Sequence, residues 1–321
     1  MRILHIENTA GVATLLSKGQ RALGHDSDVL ETWRCYFDNA HDFEHYYEGT
    51  FFHKLRMMSK TVELAKKYDV VHIHSGIARN RIDYALIKKI LGKPLIVHYH
   101  GSETRLGYGM RHQKLADVKI VATPDLLSYH PDAVFIPNPM EPMDASWPDG
   151  DLRFLHLPSV RSKKGTEHIL RAIENLSVEG RKVNFVLREH IPHDQALREI
   201  AQANVIIDQV SSQVDGAPAG LLGMVSLEGM ALAKAVVNSM SMDSNGYGRF
   251  YPQGYPGIFG DERTIKDVIV SLLDDPGEAR QRGEKGRQWI SEHLNLQIIA
   301  RQHLRIYERV LNEDPQSPHS S

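Results

Sequence analysis

The stretch Asn204–Val237, NVIIDQVSSQVDGAPAGLLGMVSLEGMALAKAVV, reads as strand, glycine-rich loop, helix and strand in one pass. Val205, Ile206 and Ile207 form an apolar run that stops at Asp208, the pattern of a strand in a buried parallel sheet with polar residues at its carboxyl end. Gly216, Pro218, Gly220 and Gly223 interrupt regular structure, and a helix follows to about Ala233. A helix entered through glycines presents free N–H groups and the positive end of its dipole, so an anion such as a diphosphate fits there without a side-chain clash. Leu221, Val225, Glu228 and Leu232 share one face of that helix. A carboxylate on an apolar stripe needs a hydrogen-bonding partner, either the hydroxyls of a sugar or ribose or a salt-bridging group of the core.

Working outward, strands and helices alternate on both sides of this stretch. Arg2 to Ile6 reads as a first strand, followed by a loop at Gly11 and a helix that ends near Gly24. Asp26-Ser-Asp28 is a D-x-D pair, a pattern that can hold a divalent metal; placed just after a helix stop, it reads as turn chemistry. Cys35 to Phe52 has no clean period. Lys54 to Lys67 carries basic residues with Leu55, Met58, Val62 and Leu64 at helical spacing, which fits a surface helix with a solvated basic face or a membrane-surface helix.

Val70 to His74 and Leu95 to His100 are apolar strands, and alternation puts His72 with His74, and His98 with His100, on one face. Four such histidines can bind zinc, but carboxylate or cysteine ligands at metal-site spacing are absent nearby, so they read as lining a ligand cleft at strand ends. No metal is expected. Arg105 and Arg111 follow in a glycine-containing loop, placed either to meet phosphate or an anionic acceptor or to remain solvated. Prolines cluster between Pro137 and Pro148, marking a linker. A strand from Arg153 and then Arg161-Ser-Lys-Lys164-Gly165 before a helix place three cations at a helix N-terminus. That arrangement suits phosphate neutralisation or an exposed basic turn. Val183 to Leu187 is the next strand, and Glu189 to Asp194 the loop beyond it. Ser239 to Gly260, with Tyr247, Tyr251 and Tyr255, reads as a loop able to close a cleft.

The chain has 321 residues, 41% hydrophobic and 24% charged, enough for two domains with real cores. With 38 basic and 40 acidic residues, it offers no general attraction to nucleic acid. Cys35 is its single cysteine, which fits a reducing, cytoplasmic setting, and no run approaches a membrane span or a signal peptide.

Gly220-Leu-Leu-Gly223, Ser226-Leu-Glu228-Gly-Met-Ala231 and Lys234-Ala-Val-Val237 resemble the nucleotide-sugar segment of retaining glycosyltransferases of the GT-B fold, in the family 4-like group that contains sucrose and glycogen synthases. The resemblance implies two Rossmann-like doubly wound α/β domains facing a central cleft: 1–145 on the acceptor side and 146–296 on the nucleotide-sugar side. A helix at 297–312 would pack back on the first, and 313–321 would form a disordered tail. It further implies a nucleoside-diphosphate sugar as donor substrate, no cofactor, and a hydroxyl acceptor on a glycan, lipid or small molecule, with peripheral membrane contact as an option.

By the same resemblance Glu228 holds the donor ribose, and Lys164 contacts the diphosphate, assisted by Arg161 and the amides near Gly223. Gly11 approaches the diphosphate from the other domain, and the His100-Gly pair meets the donor sugar. Asp208 precedes the glycine loop as in one branch of the group. Two positions depart from the pattern: Gly220 stands where a first glutamate is usual, and Ser159 where an arginine is usual. A nucleotide-sugar epimerase and a non-catalytic nucleotide-sugar or glycan-binding subunit are the competing classes.

Overall fold

The structure, a computed structural model, describes the chain except for residues 34–39, 48, 75–81, 106–113, 145, 215–216, 219–221, 243–245 and 313–321. Cys35, Arg111, Gly216, Gly220 and the tail lie outside the described residues. The fold divides into two units, one built from residues 1–139 and 296–321, the other from 140–295.

In the first unit the strands are β1 (Arg2–Ile6), β2 (Asp26–Glu31), β3 (Phe43–Glu44), β4 (Val70–His74), β5 (Leu95–Tyr99), β6 (Val118–Val121) and β7 (Val134–Phe135). They form one parallel sheet in the order β3-β2-β1-β4-β5-β6-β7, with the reversal of direction at β1 and β4 that defines a doubly wound sheet. Its helices are α1 (Val12–Ala22), α2 (Phe51–Ala65), α3 (Ile82–Lys89), α4 (Ser102–Arg105) and the last helix of the chain, Leu296–Asn312.

Period-two alternation sorts this sheet into two unlike faces. One face carries Leu4, Ile6, Val71, Ile73 and Leu95, packed with Leu64, Tyr84 and Ile87 of α2 and α3. Each fully buried aliphatic there contributes about 1.5–3 kcal/mol. The other face carries His5, His72, His74 and His98, and the helix Leu296–Asn312 adds His303 and Tyr307, all of them buried. A Cβ on Gly19 of α1 would lie 2.7 Å from the Leu296 carbonyl oxygen, so α1 and the last helix meet backbone to backbone only because residue 19 has no side chain.

The second unit contains β8 (Arg153–His156), β9 (Asn184–Leu187), β10 (Val205–Ile207), a two-stranded ribbon β11 (Gln213–Val214) and β12 (Ala217–Pro218), β13 (Ala235–Asn238) and β14 (Ile258–Phe259). Its parallel sheet runs β14-β13-β10-β8-β9. Around it lie α5 (Arg161–Lys164), α6 (Thr166–Val178), α7 (His193–Ala201), α8 (Met224–Ala231), α9 (Ile265–Asp274) and α10 (Pro276–His293), which makes the last helix α11. Phe154, Val205, Ile207, Ala235 and Val237 pack against Ile169, Leu176, Ile265 and Ile269.

Several sequence expectations change here. Asp26 and Asp28 lie inside β2 rather than in a turn, and Asp28 accepts hydrogen bonds from Arg21 (2.8 Å) and Tyr68 (2.6 Å). Both partners come from neighbouring elements that the spacing of the pair does not reveal. Tyr247, Tyr251 and Tyr255 do not form a free loop: Tyr247 and Tyr251 are buried, Tyr251 and Tyr255 contact Trp289, and Tyr255 accepts from Asn238. The first helix of the opening stretch starts after Gly223 and ends at Ala231, two residues earlier than its apolar pattern.

Candidate functional site

At the carboxyl ends of β8, β10 and β13 the second unit gathers its charged groups. Asp208 is the residue after β10 and is 1% exposed. It accepts from Lys164 Nζ at 2.5 Å through Oδ1 and from Ser226 Oγ at 2.7 Å through Oδ2. Asn238, the last residue of β13, donates to Ser226 Oγ at 3.0 Å and to Tyr255 Oη at 3.0 Å. A buried carboxylate is costly unless paired and hydrogen-bonded, and Asp208 is both. This network fixes where Lys164 stands.

The α8 N-terminus opens at the same place. No side chain caps it at Gly223, and a Cβ there would be 3.3 Å from Asp208 Oδ2 and 3.5 Å from Lys164 Nζ. The backbone N–H groups of the first turn, their dipole and an ammonium group therefore face one small volume, which suits an anion. Gly165, which joins α5 to α6, has φ of 73°, and a Cβ on it would meet Val210 Cγ2 at 2.7 Å and Ser211 Oγ at 2.9 Å. Only glycine keeps the α5 turn, and hence Lys164, close against the residues that follow β10.

Glu228 lies on α8, 6% exposed, and its Oε1 accepts from His193 Nε2 at 2.6 Å. The sequence reading left this carboxylate either a sugar hydroxyl or a salt-bridging group as its partner; the structure supplies His193 at the start of α7. That hydrogen bond, together with the Glu228 charge, raises the His193 pKa above its ordinary value. Its second oxygen accepts no hydrogen bond among the described residues. Periodicity marked Glu228 as unusual but could not identify His193, which is 35 residues upstream.

The remaining predicted residues fall in different surroundings. Arg161 is 47% exposed and its guanidinium grips Glu189 (2.6–3.1 Å), with Glu167 at 3.3 Å. The same contact holds the Glu189 carboxyl below its ordinary value. Arg161 therefore stands in an ion pair and not free for a phosphate. Ser159 is exposed on the segment before α5. His156, which the sequence reading passed over, is buried beneath the site: its Nδ1 donates to the Ile207 carbonyl (2.7 Å) and its Nε2 accepts from Thr166 Oγ1 (2.8 Å). Burial pushes its pKa down to about 4.

In the first unit, Gly11 has φ of 74° and starts α1, a left-handed turn that glycine adopts without strain. His100 follows β5 and pairs with His74 at 3.1 Å. Arg105 donates to Asp125 Oδ2 (2.7 Å) and to Thr123 Oγ1 (3.1 Å), so it is engaged in the protein rather than extended to an acceptor. His72, His74 and His98 are wholly buried, which corrects their reading as cleft-lining groups. Alternation gave their shared face; the helix that covers it, α11, comes from the far end of the chain.

No family model matches the sequence. Over 153 residues it is 31% identical to an α-maltose-1-phosphate synthase of Mycolicibacterium smegmatis, a match that spans 45% of this chain and 37% of that relative. Among solved structures it is similar to Anabaena Alr3699/HepE in complex with UDP and glucose (TM-score 0.69, 13% identity, 96% of this chain and 100% of that one). It is also similar to sucrose-phosphate synthase from Thermosynechococcus elongatus (0.65, 16%, 98% and 100%) and to a glycosyltransferase from Rickettsia africae (0.66, 14%, 98% and 99%). The fold is GT-B, the fold of these glycosyltransferases.

Proposed function

We propose that the protein transfers a sugar from a nucleoside-diphosphate sugar to a hydroxyl acceptor. The observation that carries this reading is the meeting of Lys164, the uncapped α8 N-terminus at Gly223 and the half-engaged Glu228 at the carboxyl ends of parallel strands. Glu228 accepts hydrogen bonds from the donor ribose, and the first turn of α8 and Lys164 receive the diphosphate. As the glycosidic bond breaks, negative charge grows on that diphosphate. Groups already aimed at it lower the barrier without reorganising. Asp208 and Ser226 act one step back, holding the lysine in place.

Support for a uridine nucleotide as the first donor to test comes from HepE, described in complexes with UDP and with UDP-glucose. The resemblance of the segment Gly220 to Val237 supports retention of configuration. In this reading cationic and backbone groups neutralise the leaving diphosphate, so transfer proceeds without a divalent ion. Phe51 and Phe52 on α2, 69% and 79% exposed beside Lys54, Arg56 and Lys60, support peripheral membrane contact and with it a lipid acceptor.

The test is release of nucleoside diphosphate from a panel of nucleotide sugars, with mixed hydroxyl acceptors and with or without EDTA. The expected result is acceptor-dependent release, equally fast in EDTA, from one or two donors. Failure of every nucleoside diphosphate to bind would remove the reading, and turnover that needs Mn²⁺ or Mg²⁺ would overturn its metal-independent form.

A further inference from the structure

The polar face of the first unit's sheet holds groups that glycosyl transfer does not use. His72 on β4, His98 on β5 and His303 on α11 are each 0% exposed, and each offers a ring nitrogen within 4.8 Å of the others. The three rings lie 5.4–5.5 Å apart, centroid to centroid. Among the described residues, His72 Nε2, His303 Nε2 and both nitrogens of His98 have no hydrogen-bond partner. Four unsatisfied polar atoms in one solvent-free spot require a partner, an ion or trapped water.

The outer nitrogens favour an ion. His303 Nδ1 donates to the Ile299 carbonyl oxygen at 2.9 Å, which leaves the lone pair on Nε2. His72 Nδ1 is 2.6 Å from the Tyr307 hydroxyl, and Gln20 Nε2 in turn donates to that hydroxyl at 3.4 Å. Metal-bound histidines are held in this way, with one nitrogen on the ion and the other on a carbonyl, hydroxyl or carboxylate that fixes the ring. Burial holds all three histidines below their ordinary pKa, so they are neutral and able to ligate at neutral pH.

We infer that His72, His98 and His303 form a structural site for a borderline divalent transition ion such as zinc, which ties α11 to β4 and β5. Tetrahedral ligand nitrogens on zinc lie about 3.4 Å apart, so the three rings, now within 4.8 Å, close by roughly 1 Å on the ion. A single water trapped with the ion completes the tetrahedron. The sequence reading, which saw strand histidines without His303, assigned no metal. The site is closed, so the ion enters as the unit folds, and its three ligands belong to the first unit, whereas Lys164, Gly223 and Glu228 belong to the second.

The test uses the untagged full chain. After gel filtration its zinc content is measured by mass spectrometry, and protein unfolded and stripped with a chelator is refolded with increasing Co²⁺ and followed by visible absorption. The expected result is one ion per chain and the ligand-field bands of tetrahedral Co²⁺. His98→Leu, which exchanges two unsatisfied nitrogens for apolar volume, should weaken Co²⁺ binding by more than about 100-fold. Tyr307→Phe, which keeps all three ligands, should weaken it by about 10- to 100-fold. His168→Gln, an exposed change, should leave it unaltered. Background zinc with no Co²⁺ spectrum would overturn the site and leave the layer to trapped water. Undiminished binding by a folded His98→Leu variant would do the same, and the wild-type measurement decides alone if that variant does not fold.

Discussion

Both units gather polar side chains at the carboxyl ends of parallel strands, yet they keep them by opposite means. In the first unit His5, His72, His74 and His98 on the sheet and His303 on α11 have zero exposure, and burial holds them neutral. In the second unit charge is retained by pairing: Lys164 with Asp208, His193 with Glu228, Arg161 with Glu189. A neutral imidazole survives burial because it can shed its proton at modest cost. A carboxylate beside a nucleotide has to remain charged, so it needs a cation or N–H donors at hand. The difference separates a layer that holds a fold together from a site that waits for an anion.

The most damaging change to this contrast is Lys164→Ala. It strands the buried Asp208 carboxylate, which should cost about 3–5 kcal/mol of stability and a large fall in melting temperature. Replacing both partners, Lys164→Met with Asp208→Asn, should restore most of that stability while sugar transfer stays down by about 10²–10³. A single variant with an unchanged melting temperature would show that the pair is not held as described.

Next in size is an acid effect at His156, a histidine buried beneath the charged site. Its folded pKa, about 4, lies below the unfolded value near 6.5, so the unfolded chain takes up the proton first. Stability is therefore full above pH 6.5, falls as the pH drops towards 4, and levels off below that. The total is about 3 kcal/mol. Urea unfolding of the wild type and His156→Asn between pH 7 and 4 isolates this contribution. Parallel pH profiles for the two proteins would contradict it.

The smallest effect carries the opposite sign. Glu228 raises the pKa of His193, so the stability from that pair is fully present below pH 6.5 and is lost as the pH rises through the raised folded value. His193 is 42% exposed, which screens the pair, and the change should stay under about 1 kcal/mol. NMR titration of the His193 ring in the wild type and in Glu228→Gln gives the direction. A His193 pKa at or below its value in the variant would refute the pairing.

The α/β architecture was legible because apolar runs ending in Asp208, His74 or His100 and broken by glycine and proline state strand, turn and helix locally. The likeness of Gly220 to Val237 to nucleotide-sugar segments carried the GT-B expectation further, and the fold agrees with it. What remained hidden was partnership. The periodicity of α8 exposed Glu228 as out of place, but its partner His193 belongs to another helix; Arg161 looked available because Glu189 arrives from the end of β9. Likewise His5 and His303 join His72 only once β1 pairs with β4 and α11 covers them. Spacing reports the face on which a side chain lies, whereas a partner distant in sequence is set by the packing of whole elements.

The central claim is that the second unit binds a nucleoside diphosphate through Glu228 and the α8 N-terminus, and calorimetric titration of Glu228→Ala with UDP tests it most directly. Loss of two charge-assisted hydrogen bonds to the ribose should cost about 2–4 kcal/mol, a Kd raised roughly 30- to 1,000-fold. The melting temperature should move little, because half-exposed His193 can give up its proton when its partner is gone. Unchanged UDP affinity accompanied by a large fall in melting temperature would contradict the account and return Glu228 to the core as a structural carboxylate.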